Sequence, residues 1–237
     1  MGTFAAMDYR IDHIGSSLAP ILVIENVWPD PQALIDAAAA KHDYSLRSFY
    51  YPGVRSSAPP EYAYALVAEL EALIRDTFQL SDKLSITDCT FSMVATPASK
   101  LVPFQRVPHF DSTDPNRFAL LHYLCGPEHG GTSFYRHRST GIEEVTEENQ
   151  SMYTKSVNDE VKTAGMPPPR FIDGDTTLFE RIARYECKLN RALVYRGRLL
   201  HSVNFPETET PDTNPKSGRL TVNTFLLAGK SIQSSAQ

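Results

Sequence analysis

Residues 117–138, RFALLHYLCGPEHGGTSFYRHR, hold two β-prone runs divided by the turn-like CGPEHGG. Aromatic and aliphatic residues crowd each run, and the Gly and Pro residues between them break the chain direction. The same punctuation recurs outward, in ITDCTFSMVAT at 86–96, KLVPFQRVPHF at 100–110, RALVYRGRLLHSV at 191–203 and RLTVNTFLLA at 219–228. Many short strands with turn signals between them predict an antiparallel sandwich or barrel, because a parallel sheet would need a crossover helix after each strand.

The N-terminal third reads differently. ILVIENVW at 21–28 has the pattern of a strand, and DPQALIDAAAAKH at 30–42 that of a helix with Asp30 as N-cap and Pro31 at the first helical position. SFYYPGVRSSAPP at 48–60 is loop-like. EYAYALVAELEALIRDTF at 61–78 then spaces Tyr62, Leu66, Leu70, Leu73 and Ile74 as one helical stripe, suited to packing on a sheet. Residues 1–85 are thus expected to form a helical buttress and 86–227 a β core, within one domain spanning 1–237. Residues 142–187 are too long for an ordinary loop. They combine charged sequence, the breaker GMPPPR at 165–170, and TTLFERIARYECK with Leu178, Ile182 and Tyr185 at helical spacing, which predicts a partly helical insertion and a possible lid.

Composition narrows the function. A net charge of −5 with scattered basic residues argues against a nucleic-acid partner. Three cysteines, Cys89, Cys125 and Cys187, lie far apart without a C-x-x-C pair, which suits reduced packing residues. The stretch MGTFAAMDYRIDHIG lacks the basic and apolar regions of a leader, and no apolar run is long enough to span a bilayer. The expectation is a cytoplasmic protein with no membrane partner; nothing in the sequence sets its oligomeric state.

The residues that suggest chemistry are His109 and Asp111 in PHFD, His201 in LLHS, and Arg219 in GRLTVN. A His and a carboxylate two residues apart project from one face of an extended segment, and a His from elsewhere completes a facial set of three ligands suited to redox-active iron. Such a set leaves positions open for a co-substrate and oxygen, while a guanidinium could grip a distant carboxylate. Chance alone yields roughly 0.4 H-x-D triplets in a chain of this composition, so context must carry the weight. That context is favourable, since each of these residues borders a β-prone run.

In these pieces the chain resembles the Fe(II)- and 2-oxoglutarate-dependent dioxygenases, particularly their prolyl-hydroxylase-like branch. PHFD resembles that family's H-x-D, HYLCGPEHGGTSFY at 122–135 its Tyr-Leu strand and Gly-Gly strand, LVYRGRLLHS at 193–202 its distal His strand, and GRLTVNTF at 218–225 its Arg-x-Ser/Thr strand. The resemblance implies a double-stranded β-helix, a cupin-like jelly roll of two antiparallel sheets with flanking N-terminal helices. It implies Fe(II) on His109, Asp111 and His201, and 2-oxoglutarate anchored by Arg219 with Tyr123 as an auxiliary donor; Thr221 and Thr132 are weaker co-substrate candidates. It further implies an oxidoreductase, in the simplest case a hydroxylase, releasing succinate and CO2. Its substrate would be a small molecule, amino acid or peptide. His201 and Arg219 stand eighteen positions apart, a longer separation than is usual in that family, and the loop PETETPDTNPKSG at 206–218 accounts for it.

Two rival readings share some of these residues. One is a non-catalytic sensor module that keeps the fold, metal and 2-oxoglutarate. The other is a Zn(II)-dependent hydrolase, which would need a water-activating acid or base and has no use for an anchoring Arg; H-E-x-x-H is absent. His122, His129 and His137 read as structural. Arg136 with Arg138, and Arg196 with Arg198, could each receive an acidic substrate or simply face solvent.

Overall fold

Strand β10 (Leu220–Ala228) divides the protein into two apolar cores by simple alternation. Leu220, Val222 and Leu226 point to one side, Thr221, Asn223 and Phe225 to the other. The computed structural model describes residues 7–46 and 51–229. Within them β10 is flanked by β4 (Leu84–Val94) and β5 (Arg117–Tyr123). Beyond β4 lies β3 (Gly53–Ser57), and beyond β5 lie β8 (Ala192–Arg196), β2 (Ala19–Glu25) and β1 (Asp8–Ile14). All seven strands pair antiparallel. A three-stranded antiparallel sheet sets β6 (Gly131–His137) between β7 (Phe179–Glu186) and β9 (His201–Asn204).

The large sheet is buried on both faces, which is why ILVIE, FALLHYL and ALVY read as nearly continuous apolar runs. Leu22, Ile24, Phe118, Leu120, Ala192 and Val194 form its outer face. Helices α1 (Pro31–Ala39) and α2 (Pro60–Phe78) cover it, α2 with Tyr62, Leu66, Leu70 and Ile74 as its periodicity predicts. Asp30 caps α1 through a 3.0 Å bond from the Ala33 amide. Each fully buried Leu or Ile here contributes about 1.5–3 kcal/mol. The inner face, with Val23, Leu121, Leu193 and Tyr195, meets Phe134 and Tyr185 of the small sheet. This inner layer holds the polar residues discussed below.

Several expectations are corrected. The strand read at 21–28 is β2, and with β1 and β3 it extends the main sheet, so the N-terminal third is more than a helical buttress. Within the stretch read as a loop, residues 48–50 lie outside the described residues, but Gly53–Ser57 is the edge strand β3. KLVPFQRVPHF follows a 3-10 turn that ends at Lys100, forms a second at Pro103–Gln105 and contains no strand, its Pro residues breaking any ladder. RALVYRGRLLHSV is split at Gly197 into β8 and β9, which belong to different sheets.

TTLFERIARYECK is strand β7, not a helix. The register with β6 shifts at Phe134/Tyr135, so that Ala183 and Arg181 pair with consecutive residues and Ile182 is the extra one. That bulge breaks the alternation and produces an apolar spacing that imitates a helix. The insertion therefore contributes a core strand at its C-terminal end. Its helical part is α3 (Gln150–Ala164), whose Tyr153, Val157 and Val161 pack near Phe110, Phe179 and Leu200. No helix among the described residues is long and apolar enough to cross a membrane.

Candidate functional site

His109 and His201 meet at an isolated antiparallel bridge. The amide of each donates to the carbonyl of the other, at 2.9 and 2.8 Å, and their rings lie 4.3 Å apart. His109 thus sits in an extended segment pinned to the first residue of β9 rather than in a regular strand. The period of two still holds locally: Phe110 turns away to Tyr153, while Asp111 turns to the same side as His109. The Asp111 amide donates to Gly197 O at 2.6 Å, which fastens the carboxylate between β8 and β9. Gly197 leaves room at this contact, since a Cβ there would lie 3.3 Å from the Asp111 Cβ and push it by a few tenths of an ångström.

The donor atoms of His109, Asp111 and His201 all lie within 4.8 Å of one another. His109 Nε2 is 3.7 Å from Asp111 Oδ1, and His201 Nε2 is 3.6 Å from Asp111 Oδ2. Metal bonds of about 2.1 Å at right angles place neighbouring donors about 3 Å apart, so a small inward movement would let one ion contact all three. His201 Nδ1 faces Leu199 O at 2.8 Å; this bond assigns the proton to Nδ1 and leaves Nε2 free to ligate. Burial drives the His109 pKa well below its usual range, helped by His201 and by the Arg55 guanidinium, and so favours the neutral imidazole a metal requires. Desolvation in the cleft raises Asp111, against His201 and Arg55, although the residue keeps a solvent-exposed side. The three residues fit a divalent metal with two neutral nitrogen donors and one carboxylate.

The three residues line one end of a cleft whose walls also include Leu121, Thr132, Tyr195 and Thr221. Arg219 lines it and is almost fully buried, at 3 % exposure. Its Nη2 donates to Gly131 O at 3.1 Å and its Nε has no partner. No carboxylate among the described residues lies within 4.0 Å of it. Burial would lower the Arg219 pKa, but the thiols of Cys187 and Cys125 and the phenols of Tyr51 and Tyr123 outweigh it, so the guanidinium stays charged. A buried cation without a counter-charge is costly, and an anionic ligand would relieve that cost.

Thr132 and Thr221 both line the cleft. Thr221 donates to Asn223 Oδ1 at 2.9 Å. Tyr123 lies under Arg219, its ring centroid 5.8 Å from the guanidinium carbon, and its hydroxyl donates to Thr132 Oγ1 at 2.7 Å. Its single proton is therefore committed within the protein. The sequence gives no hint of Tyr51, whose buried hydroxyl has no partner and whose side chain lines the cleft. Burial raises the Tyr51 pKa, while Arg219 and Arg55 pull it down, so the phenol lies within the fields of both cations. Tyr51 and Arg55 fall in a stretch that reads as a loop, and only folding brings them to the site.

The other candidates are structural. His122 is buried on the helix side, with Nδ1 2.9 Å from the Tyr62 hydroxyl and Nε2 3.1 Å from Asn190 Oδ1. His137 faces Thr140 and Glu160, and His129 faces Glu128 and Glu209. Arg136 binds Glu143 and Glu180, Arg138 binds Asp175, and Arg198 binds Glu144. Arg196 lies over Phe78 and Phe118. None of these arginines lines the cleft.

A profile of the family described as "Family of unknown function (DUF6445)" matches residues 5–226, and the chain belongs to that family. No curated protein matches it. Among solved structures it is similar to the non-heme alpha ketoglutarate dependent epimerase SnoN from nogalamycin biosynthesis, with 12% identity over 92% of this chain and 86% of that one and a TM-score of 0.50. HygX from Streptomyces hygroscopicus, with nickel and 2-oxoglutarate bound, is 14% identical over 89% of this chain and 83% of that one, with a TM-score of 0.47. A novel N-substituted L-amino acid dioxygenase from Burkholderia ambifaria AMMD is 10% identical over 93% and 94%, with a TM-score of 0.47. The likeness to SnoN is one of fold.

Proposed function

We propose that this member of the DUF6445 family is an Fe(II)- and 2-oxoglutarate-dependent oxygenase, in its simplest form a hydroxylase, built as one domain on the double-stranded β-helix of the prolyl-hydroxylase-like branch. The observation that carries the reading is the placement of three metal-type donors within 4.8 Å of one another, beside a buried Arg219 that has no acidic partner. The fold shared with SnoN, described as alpha ketoglutarate dependent, supports it. The order of PHFD, the Gly-Gly strand, LLHS and GRLT supports the assignment to the branch.

His109, Asp111 and His201 would hold the metal from one side, leaving its other positions to small ligands. Iron and 2-oxoglutarate, when bound, would supply oxidative decarboxylation by O2, one oxygen atom entering succinate as CO2 leaves and the other oxidising a nearby substrate C–H bond. The protein's part is to bind, orient and exclude water. Arg219 presents a planar fork to the far carboxylate of 2-oxoglutarate, and Tyr51 offers its free hydroxyl proton to the same group. Thr132 and Thr221 give that wall short side chains that leave room for the co-substrate. Leu121, Ala119 and Tyr195 line the cleft with apolar surface, which strengthens each charged contact inside it.

The test is an anaerobic titration with Fe(II) followed by 2-oxoglutarate, watched by visible absorption and calorimetry, and then admission of oxygen with quantification of succinate. Saturable binding of both with slow succinate release is the expected result. Binding of both without any succinate would instead make the protein a sensor of the same fold. Failure to bind 2-oxoglutarate in the metal-loaded protein would remove the reading altogether.

A further inference from the structure

The cleft continues past the metal-type residues into a second recess on the α3 side. His109 and Asp111 stand at its inner end, and Phe104, Phe110, Tyr153 and Val157 contribute its apolar walls. Tyr51 and Arg55 line both the cleft and this recess. The position of Arg55 follows from register. It pairs with Ser92 of β4, Ser92 with Thr221 of β10, and Thr221 with Tyr123 of β5, so these four side chains share the inner face of the large sheet.

Arg55 resembles Arg219 in lacking an acid. Its guanidinium lies over the Tyr51 ring at 4.6 Å, its Nε is buried without a partner, and no carboxylate among the described residues comes within 4.0 Å of it. Arg136, Arg138, Arg181 and Arg191 at the outer surface are instead paired with acids. Stacking on Tyr51 fixes the plane of the guanidinium and leaves its fork free, an arrangement matched to a carboxylate.

Charge accounting agrees, and here the argument rests on the oxygenase reading above. A divalent metal, Arg55 and Arg219 bring four positive charges, and Asp111 with the two carboxylates of 2-oxoglutarate brings three negative ones. One positive charge is left, where the cleft and the recess meet and Arg55 lines both. The polar residues of α3 that line the recess, Gln150, Thr154 and Asn158, are neutral. A single carboxylate on the substrate would complete the balance.

We propose that Arg55 is the substrate-recognition residue of this site, and that the substrate is a small molecule with an apolar, ring-sized body and one carboxylate. The body occupies the recess between Phe110 and α3, and the carboxylate meets Arg55, which holds the rest of the molecule beside the metal. The aromatic and aliphatic walls select the body, and the charge selects the end that turns inward.

The test uses the protein loaded anaerobically with Fe(II) and 2-oxoglutarate, and two probes of nearly equal shape, phenylacetate and phenylacetamide, with affinities measured by calorimetry. Phenylacetate should bind roughly tenfold or more tightly than the amide. Arg55→Gln should abolish that preference and Arg55→Lys should keep part of it, each variant being compared at saturating Fe(II) and 2-oxoglutarate. Binding of phenylacetate no tighter than the amide, or not at all, overturns the proposal. So does a loss of 2-oxoglutarate affinity in Arg55→Gln, which would make Arg55 part of the co-substrate site. Failure of the unaltered protein to take up Fe(II) and 2-oxoglutarate is read first and separately, and it would sink the oxygenase reading itself.

Discussion

His109 and His201 are ninety-two residues apart in the chain and exchange both of their backbone hydrogen bonds. The two nitrogen donors of the candidate metal site are thereby fixed through the main chain as well as by side-chain packing. Tyr195 and Phe134 press on the His201 ring at 5.0 and 6.2 Å, restricting its rotation.

Removal of either imidazole should leave only two donors, one nitrogen and one carboxylate. His109→Ala and His201→Ala are each expected to weaken Fe(II) binding by roughly a hundredfold or more, read by anaerobic titration. Gly197→Ala tests the support beneath Asp111. Its added Cβ, 3.3 Å from the Asp111 Cβ, should displace the carboxylate by a few tenths of an ångström and lower Fe(II) affinity by roughly tenfold. Stoichiometric iron with unchanged affinity in both His variants would place the metal elsewhere.

The co-substrate wall makes a graded prediction. Arg219→Lys keeps the charge and loses the fork, so the 2-oxoglutarate Kd should rise by roughly tenfold; Arg219→Ala should raise it further. Tyr51→Phe should raise it by several-fold, since it removes the free hydroxyl. Tyr123→Phe should leave the Kd nearly unchanged and cost about 1 kcal/mol of stability through the lost bond to Thr132. Equal effects of the two Tyr substitutions on Kd would contradict this division of roles.

Tyr62 and His122 tie helix α2 to strand β5. Trp28 N–H donates to Asn190 Oδ1, so that oxygen accepts from His122 Nε2–H as well, and His122 Nδ1 accepts from the Tyr62 hydroxyl. Tyr62→Phe strips a buried nitrogen of its donor and should cost about 1–3 kcal/mol. Burial lowers the His122 pKa to about 4, against 6.5 for a free imidazole, with the Asn190 bond acting the other way. In the interval between these values the unfolded chain binds the proton and the folded one does not. Stability should therefore fall as pH drops from about 6.5 toward 4, and His122→Leu should flatten that slope in urea titrations at a series of pH values.

Glu143 anchors the start of the insertion to the β1–β2 turn. It accepts the amides of Ser16 and Ser17 at 2.9 and 3.0 Å and pairs with Arg136. Burial alone would raise its pKa, but these donors hold it down at about 2. A depressed carboxylate stabilises the fold above the unfolded value of 4.5, and that contribution should disappear as pH falls from there toward 2. At neutral pH, Glu143→Gln should cost about 1–3 kcal/mol and speed proteolytic cutting between residues 138 and 178. Wild-type cutting rates in this variant would show that the insertion is held by α3 packing alone.

The sequence by itself determined that the fold is mainly β and where α1 and α2 lie, and it singled out His109, Asp111, His201 and Arg219, which folding brings to one cleft. Each of these is written in a local code: alternation and Gly/Pro punctuation for strands, a cap and a stripe for helices, and a short motif for His109 and Asp111. Local code failed where a residue's surroundings come from distant chain. The stretch ending in Cys187 carries helical spacing because Ile182 is the extra residue of a bulge, and only its partner β6 can show that. β3 offers five residues with little apolar pattern, and its strand character comes from pairing with β4 at the sheet edge. The chain gives Tyr51 and Arg55 no motif and no periodicity. Their importance lies in what they do not touch, an unbonded hydroxyl and a guanidinium without an acid, and such an absence exists only once the tertiary structure has set every other partner in place.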